Sequence, residues 1–190
     1  MDRYYSETIF RSLDSGKIQG TASVFYSGQK GTEFQLSPKL VERIAPGAFD
    51  QVLRNNPDVV ATYEHETKMP LARTPDLKLW TDNQGLQFEF DLPKGVSYAD
   101  DLKQLIDRGI VRGCSFAARI GYRTFDKEGE KDVCTIHRFS ELADVAVCVK
   151  GAYGAAVLRS KDSEEMATQE YQQWLETKAR LERWVKIKAS

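Results

Sequence analysis

Between residues 18 and 160 short apolar runs alternate with turn-forming clusters, which predicts a mostly β body with a few inserted helices. TASVFYS (21–27) runs into a Gly-containing turn, and VVATYEHE (59–66) is β-branched and partly alternating. KLWTDNQGLQFEFDLP (78–93) reads as a hairpin turned by Asp82, Asn83, Gln84 and Gly85. Together these runs predict an antiparallel sheet or barrel. PGAFDQVL (46–53) begins with proline, which suits the first turn of a short helix. SYADDLKQLIDRG (97–109) offers Ser97 as N-cap, Leu102, Leu105 and Ile106 on one face, and Gly109 as the stop. Two more strands, VRGCSFAARIGY (111–122) and ELADVAVCVKG (141–151), are expected on either side of a polar loop around Asp126 to Lys131.

The pattern changes after residue 160. Lys161 to Ser190 holds no Gly or Pro, and its six acidic and six basic residues flank Tyr171, Trp174, Leu181 and Val185 at three-, seven- and four-residue steps. That spacing predicts an amphipathic helix. Two readings stand side by side: a terminal helix docked on the body, or a helix offered to a partner. The domain organisation expected is therefore a body over 1–160 and a C-terminal helix over 161–190.

Composition narrows the classes. The 190 residues carry 27 Lys+Arg against 28 Asp+Glu, a formal charge of −1, so no global field favours nucleic acid or an anionic membrane. Three cysteines, Cys114, Cys134 and Cys148, are an odd number without a disulfide framework, and are expected to be free thiols in a reducing compartment. No apolar run approaches the roughly 20 residues of a spanning helix, and the polar start lacks a signal-peptide core. The expectation is a soluble cytoplasmic protein. No Cys or His pair stands at metal-ligand spacing and no phosphate-binding glycine loop occurs, so neither a metal nor a cofactor is expected.

What remains is nucleophilic catalysis, which needs a hydroxyl or thiol, an imidazole to take its proton, and a third group to hold the imidazole. His65 and His137 are the only histidines. An imidazole suits the role of base in general, and His65 stands in YEHE at the end of a strand, with Glu64 and Glu66 expected to be solvated on the opposite face. Its rival reading is a half-buried histidine satisfied by backbone. Cys114 and Ser115 are adjacent on a strand and so face opposite sides. If Cys114 shares the core face with Phe116, Ser115 points outward with Ala117 and Arg119, toward a cleft. Alternation by itself leaves both the thiol and the hydroxyl open as nucleophile.

Four segments, taken in order, resemble the prohead maturation proteases of tailed bacteriophages, the HK97-type family. ERIAPGAF (42–49) is similar to R-I-x-P-G-A-F, and YEHE followed by LART (71–74) is similar to the family's histidine-acid pair and L-G-R-T. DNQGLQFEFDLP (82–93) resembles the hairpin D-x-x-G-L-x-F-x-x-x-L-P, and DRGIVRGCSFAARI (107–120) resembles R-G-x-x-x-G-x-S-F-x-F, whose serine is the nucleophile. A fifth segment, ELADVAVCVKGAYGAAVLRS (141–160), is similar to L-x-E-V-S-x-V-x-x-P-A-Y. Within it DVAVCVKG also resembles, more distantly, the H-V-A-L-C-x-x-G of the herpesvirus capsid maturation proteases, the assemblins. This sequence departs from the pattern at LAR for L-G-R, Asp144 for Glu, Ala146 for Ser or Thr, and Gly151 for Pro.

The resemblance implies an α+β fold with a mainly antiparallel β-barrel or sheet core and surrounding helices, herpesvirus-protease-like, with the C-terminal amphipathic helix appended. It also implies a serine endopeptidase with Ser115 as nucleophile, His65 as base and Asp144 as the orienting acid. Gly151 and Ala152 are the implied oxyanion-hole donors, His137 is the alternative third member, and Arg73 is an assisting group or a structural ion pair. The implied partners are the major capsid protein and its scaffold segment, with the portal and a second copy of the chain as further ones. No nucleic acid or membrane is involved, and the place of action is the prohead in the host cytoplasm. The alternative class is a non-enzymatic scaffold or assembly component keeping the protease fold.

Overall fold

The computed structural model describes residues 2–6, 11–12, 17–149 and 161–188. In chain order the elements are β1 (Asp2–Ser6), β2 (Arg11–Ser12), β3 (Lys17–Val24), β4 (Glu33–Gln35), β5 (Leu40–Ile44), α1 (Asp50–Arg54), β6 (Val60–Tyr63) and β7 (Pro70–Arg73). They continue with β8 (Lys78–Thr81), β9 (Gly85–Asp91), α2 (Ser97–Asp107), β10 (Gly113–Glu128), β11 (Lys131–Cys148) and α3 (Lys161–Lys188). The chain divides into two compact units, Met1–Leu158 and Arg159–Ser190.

One long hairpin organises the first unit. β10 and β11 pair antiparallel from Gly113↔Cys148 to Glu128↔Lys131, and Gly129 and Glu130 close the turn. The polar loop expected around Asp126 to Lys131 is therefore corrected to paired strand. Side chains from Tyr122 to Glu128 are exposed or half-buried, so the apolar alternation that marks a strand is missing there. On the far edge of β11 lie two strands end to end, both parallel to it. β5 pairs from Leu40↔Asp132 to Ile44↔Ile136, and β6 pairs from Val60↔Asp144 to Tyr63↔Val147. β4 and β7 extend β5 and β6 antiparallel, and β1 lies antiparallel on the free edge of β10. A second sheet runs in the order β2-β3-β9-β8.

Both sheets are open among the described residues, which corrects the barrel alternative: β1 and β4 end the first sheet on opposite sides of the hairpin and do not meet. The architecture is a strand-rich α+β one. The two sheets share one core, to which β3 contributes Ile18 and Ala22, β9 contributes Leu86, Phe88 and Phe90, and α2 contributes Leu102 and Ile106. Phe49 lies at its aromatic centre, stacked on Phe139 at 4.6 Å and edge-on to Phe116 at 5.3 Å.

Helix ends differ in detail from the sequence reading. Pro46 to Phe49 form a turn rather than helix, because Gly47 takes a φ of 84°, and α1 starts only at Asp50. The Ala48 carbonyl in that turn accepts the Phe139 N–H at 2.9 Å, which anchors Phe49 over β11. In α2 the cap position falls to Val96, whose carbonyl accepts the Ala99 and Asp100 N–H groups, and Ser97 is the first helical residue. The stop is where it was expected. Gly109 at φ 68° donates to Ile106 O and Ile110 donates to Leu105 O, the paired bonds of a Schellman ending.

Gly85 acquires a different role from the one its turn suggests. The Asp82 side chain makes the turn, its Oδ1 accepting the Gln84 and Gly85 N–H groups at 2.8 and 3.0 Å. Gly85 itself is already strand, packed so closely on β3 that a Cβ would sit 1.8 Å from the Ser23 carbonyl oxygen. Gly85→Ala is therefore expected to destabilise the protein by about 3 kcal/mol, the upper range for overpacking against backbone. A denaturant midpoint unchanged from the parent would contradict that placement.

In the second unit, α3 stacks Tyr171 on Trp174 with ring centroids 5.9 Å apart and sets the Lys178 ammonium over the Trp174 ring at 4.6 Å. Trp174 is half-buried and Leu181 exposed.

Candidate active site

Register determines which side chains meet. Ser115 lies opposite Ala146 and Ala117 opposite Asp144, so these four positions share one face of the β10–β11 ribbon. Cys114, Phe116, Val145 and Val147 take the other face and belong to the core. Ala117 and Ala146 are the small residues that complete that face beside the serine and the acid. The pairing then slips, with Ala118 opposite Leu142, so that Ala143 is an extra residue in β11 immediately before Asp144. Such a bulge re-aims the neighbouring side chain.

His65 reaches this face from the next strand over. β6 ends at Tyr63, and the chain then reverses through Glu64 and His65 at φ 55° and 60°. Two successive non-glycine residues in the left-handed region cost on the order of 1–3 kcal/mol each, so the surroundings must hold them. The Glu64 N–H donates to the Val147 carbonyl at 3.0 Å, and the Glu66 N–H donates to that of Tyr63 at 3.0 Å. The Glu64 carboxylate in turn accepts the Val149 N–H at 2.6 Å. This corrects the expectation that Glu64 is solvated, which assumed a strand continuing through residue 66. The turn gives no glycine signal by which sequence reasoning could find it.

The result is a chain of hydrogen bonds across three strands. His65 Nδ1 lies 2.8 and 3.0 Å from the two Asp144 carboxylate oxygens, and His65 Nε2 lies 2.7 Å from Ser115 Oγ. A carboxylate only accepts, so Nδ1 carries the proton and donates it to Asp144. Nε2 is then left as acceptor for the Ser115 hydroxyl. That arrangement polarises the serine toward its alkoxide and prepares the imidazole to receive a proton.

The other candidates fall elsewhere. His137 is exposed, 2.9 Å from Thr124 Oγ1 and beside the Tyr122 ring, and does not join the three residues. Arg73 is an exposed ion pair with Asp58, its Nε 2.6 Å from the carboxylate and its Nη2 also bonded to it. Cys114 is buried on the core side, and burial pushes its thiol pKa well above the ordinary range, leaving little thiolate at neutral pH. Gly151 and Ala152 lie outside the described residues. Among the described residues no group of three His, Cys, Asp or Glu side chains is placed to hold a metal ion.

One expectation about access is corrected. Ser115 does not open into a cleft: the residue is 0% exposed and His65 only 4%. The imidazole lies against the hydroxyl, and β1 runs along the edge of β10 with Tyr5 opposite Ser115.

The family model described as caudovirus prohead serine protease aligns with residues 6–170 of the chain. No curated protein and no solved structure matches.

Proposed function

The chain belongs to the caudovirus prohead serine proteases, and on that footing we propose that Ser115, His65 and Asp144 are its nucleophile, general base and orienting acid. Membership makes the protein a capsid maturation protease that works inside the phage procapsid in association with capsid proteins. No helix among the described residues is long and apolar enough to cross a membrane.

The observation that carries the residue assignment is the unbroken Ser115–His65–Asp144 hydrogen-bond chain, 2.7 Å at one end and 2.8 Å at the other. In the mechanism, His65 Nε2 removes the hydroxyl proton as Ser115 Oγ bonds to the scissile carbonyl carbon. The tetrahedral oxyanion then collapses, expelling the amine with the proton returned by His65, and water repeats the sequence on the acyl-enzyme. Asp144 holds the Nδ1–H tautomer and stabilises the imidazolium. Main-chain N–H groups of Gly151 and Ala152 are the proposed donors to the oxyanion. In sequence they come three and four residues after the end of β11, whose exit Glu64 holds at Val149.

The proposed substrates are the scaffold or scaffold-like segment of the major capsid protein and the protease itself, with the portal as a further partner and a homo-oligomer as the working assembly. The herpesvirus-protease-like arrangement suggested by DVAVCVKG belongs to the same proposal. A fluorophosphonate probe, read out by peptide mass spectrometry, is expected to label Ser115 and leave Cys114 unmodified. Labelling of Cys114, or of neither residue under any condition, contradicts the assignment. The rival reading, an assembly component without activity, draws on the burial of Ser115. The same probe separates the two.

A further inference from the structure

We infer that β1 is an intramolecular occluder: the chain's own N-terminal strand fills the lane along β10 that an extended substrate peptide needs, and its displacement opens the active site. This rests on Ser115 being the nucleophile, as proposed above. β11 occupies one edge of β10 along its whole length. The other edge, at Cys114 to Ala118, is where the strand carrying Ser115 has further N–H and C=O groups to offer an incoming chain. Such an edge binds extended peptide through main-chain bonds without regard to side chains.

β1 takes all five positions of that edge, from Ser6↔Cys114 to Asp2↔Ala118, antiparallel and with Tyr5 directly across from Ser115. Opposed Cα atoms in such a pair are about 4.5–5.5 Å apart, so no second strand fits between. A peptide threading past the nucleophile in this lane must first remove β1. The closure is consistent with a serine 0% exposed and a histidine 4% exposed in an otherwise assembled hydrogen-bond chain. Among the described residues β1 is also a strand at the end of its sheet, paired along one edge. Such a short edge strand is drawn from the low-stability end of a fold, where local opening is easiest.

Two variants of the full chain test this from opposite directions, each read as the rate of fluorophosphonate labelling at Ser115. The double variant Tyr4→Pro, Tyr5→Pro removes an N–H from the ladder whichever of the two faces β10. It is expected to label at least about tenfold faster than the parent, the gain when a state closed nine-tenths of the time becomes open. A synthetic peptide of residues 1–8 added to it is expected to slow labelling again. Conversely, Ser6→Cys places a thiol opposite Cys114, within the Cα separation a disulfide tolerates. Oxidation is expected to suppress labelling and reduction to restore it. Equal labelling with the crosslink present and absent overturns the inference while leaving the nucleophile assignment intact, and does so even if the proline variant fails to fold. Failure of every form to label, the reduced and the proline variants included, overturns the assignment of Ser115 and the inference with it.

Discussion

Ser115→Ala is expected to lower turnover of the proposed substrate, the major capsid protein, by on the order of 10⁶-fold, as loss of a triad nucleophile does elsewhere. On the proposed assignment the substitution removes the atom that bonds to substrate. What it removes from the fold is small: one buried hydroxyl and a hydrogen bond of about 1 kcal/mol. Co-expression with the capsid protein, followed by mass spectrometry of the prohead proteins, reads the effect. Undiminished processing by Ser115→Ala would sink the nucleophile assignment. Loss of processing together with loss of soluble folded protein would instead indicate a structural serine, so the thermal midpoint is measured on the same preparation.

Asp144→Asn carries the second largest expected effect, about 10⁴-fold in kcat. The substituted side chain presents an amide that donates where the carboxylate only accepts. The neighbouring His65 Nδ1, 2.8 Å from the acid in the parent, then becomes the acceptor, and the proton moves to Nε2. Nε2–H facing Ser115 Oγ cannot take the hydroxyl proton. The geometry is retained while the base is lost, so substrate binding should change far less than kcat. His137→Ala serves as the comparison: its imidazole is bonded to Thr124 on the exposed part of the hairpin, and processing should continue at the parent rate. If His137→Ala is the more damaging of the two, the third residue is misassigned.

Strand alternation made one part of this site legible, the opposite facing of Cys114 and Ser115, while the choice between them and the roles of His65 and Asp144 came from the family resemblance. Phe116 and Cys114 on the core face put Ser115 on the other, and the structure divides them that way. The hairpin over 78–93 and the end of α2 at Gly109 were legible for the same reason, each being fixed by a few neighbouring residues. What escaped depends on contacts distant in sequence. The reversal at Glu64 and His65 is held by Val147 and Val149, more than eighty residues away, and nothing in YEHE announces it. The bulge at Ala143 follows from pairing with β10 and leaves no local mark. The distal hairpin looked like a loop because its side chains meet water on much of their surface, so composition there reports exposure rather than backbone conformation. The burial of Ser115 belongs to the same class, since it comes from strands that other parts of the chain supply.

The parallel seating of β6 on β11 bears on when the protein becomes dangerous to its surroundings. His65 and Asp144 are 79 residues apart, and the acid reaches the histidine only after β11 has paired with β6 on one side and β10 on the other. Parallel pairings between segments so distant close late, because the chain must give up loop entropy before any contact repays it. During synthesis the strand bearing Asp144 leaves the ribosome after Ser115 and His65, so on the proposed assignment a nascent chain holds a serine and a histidine with no acid to organise them. On that assignment proteolytic competence is expected with the completed sheet rather than with the nucleophile, so that the order of the residues along the chain delays it during translation.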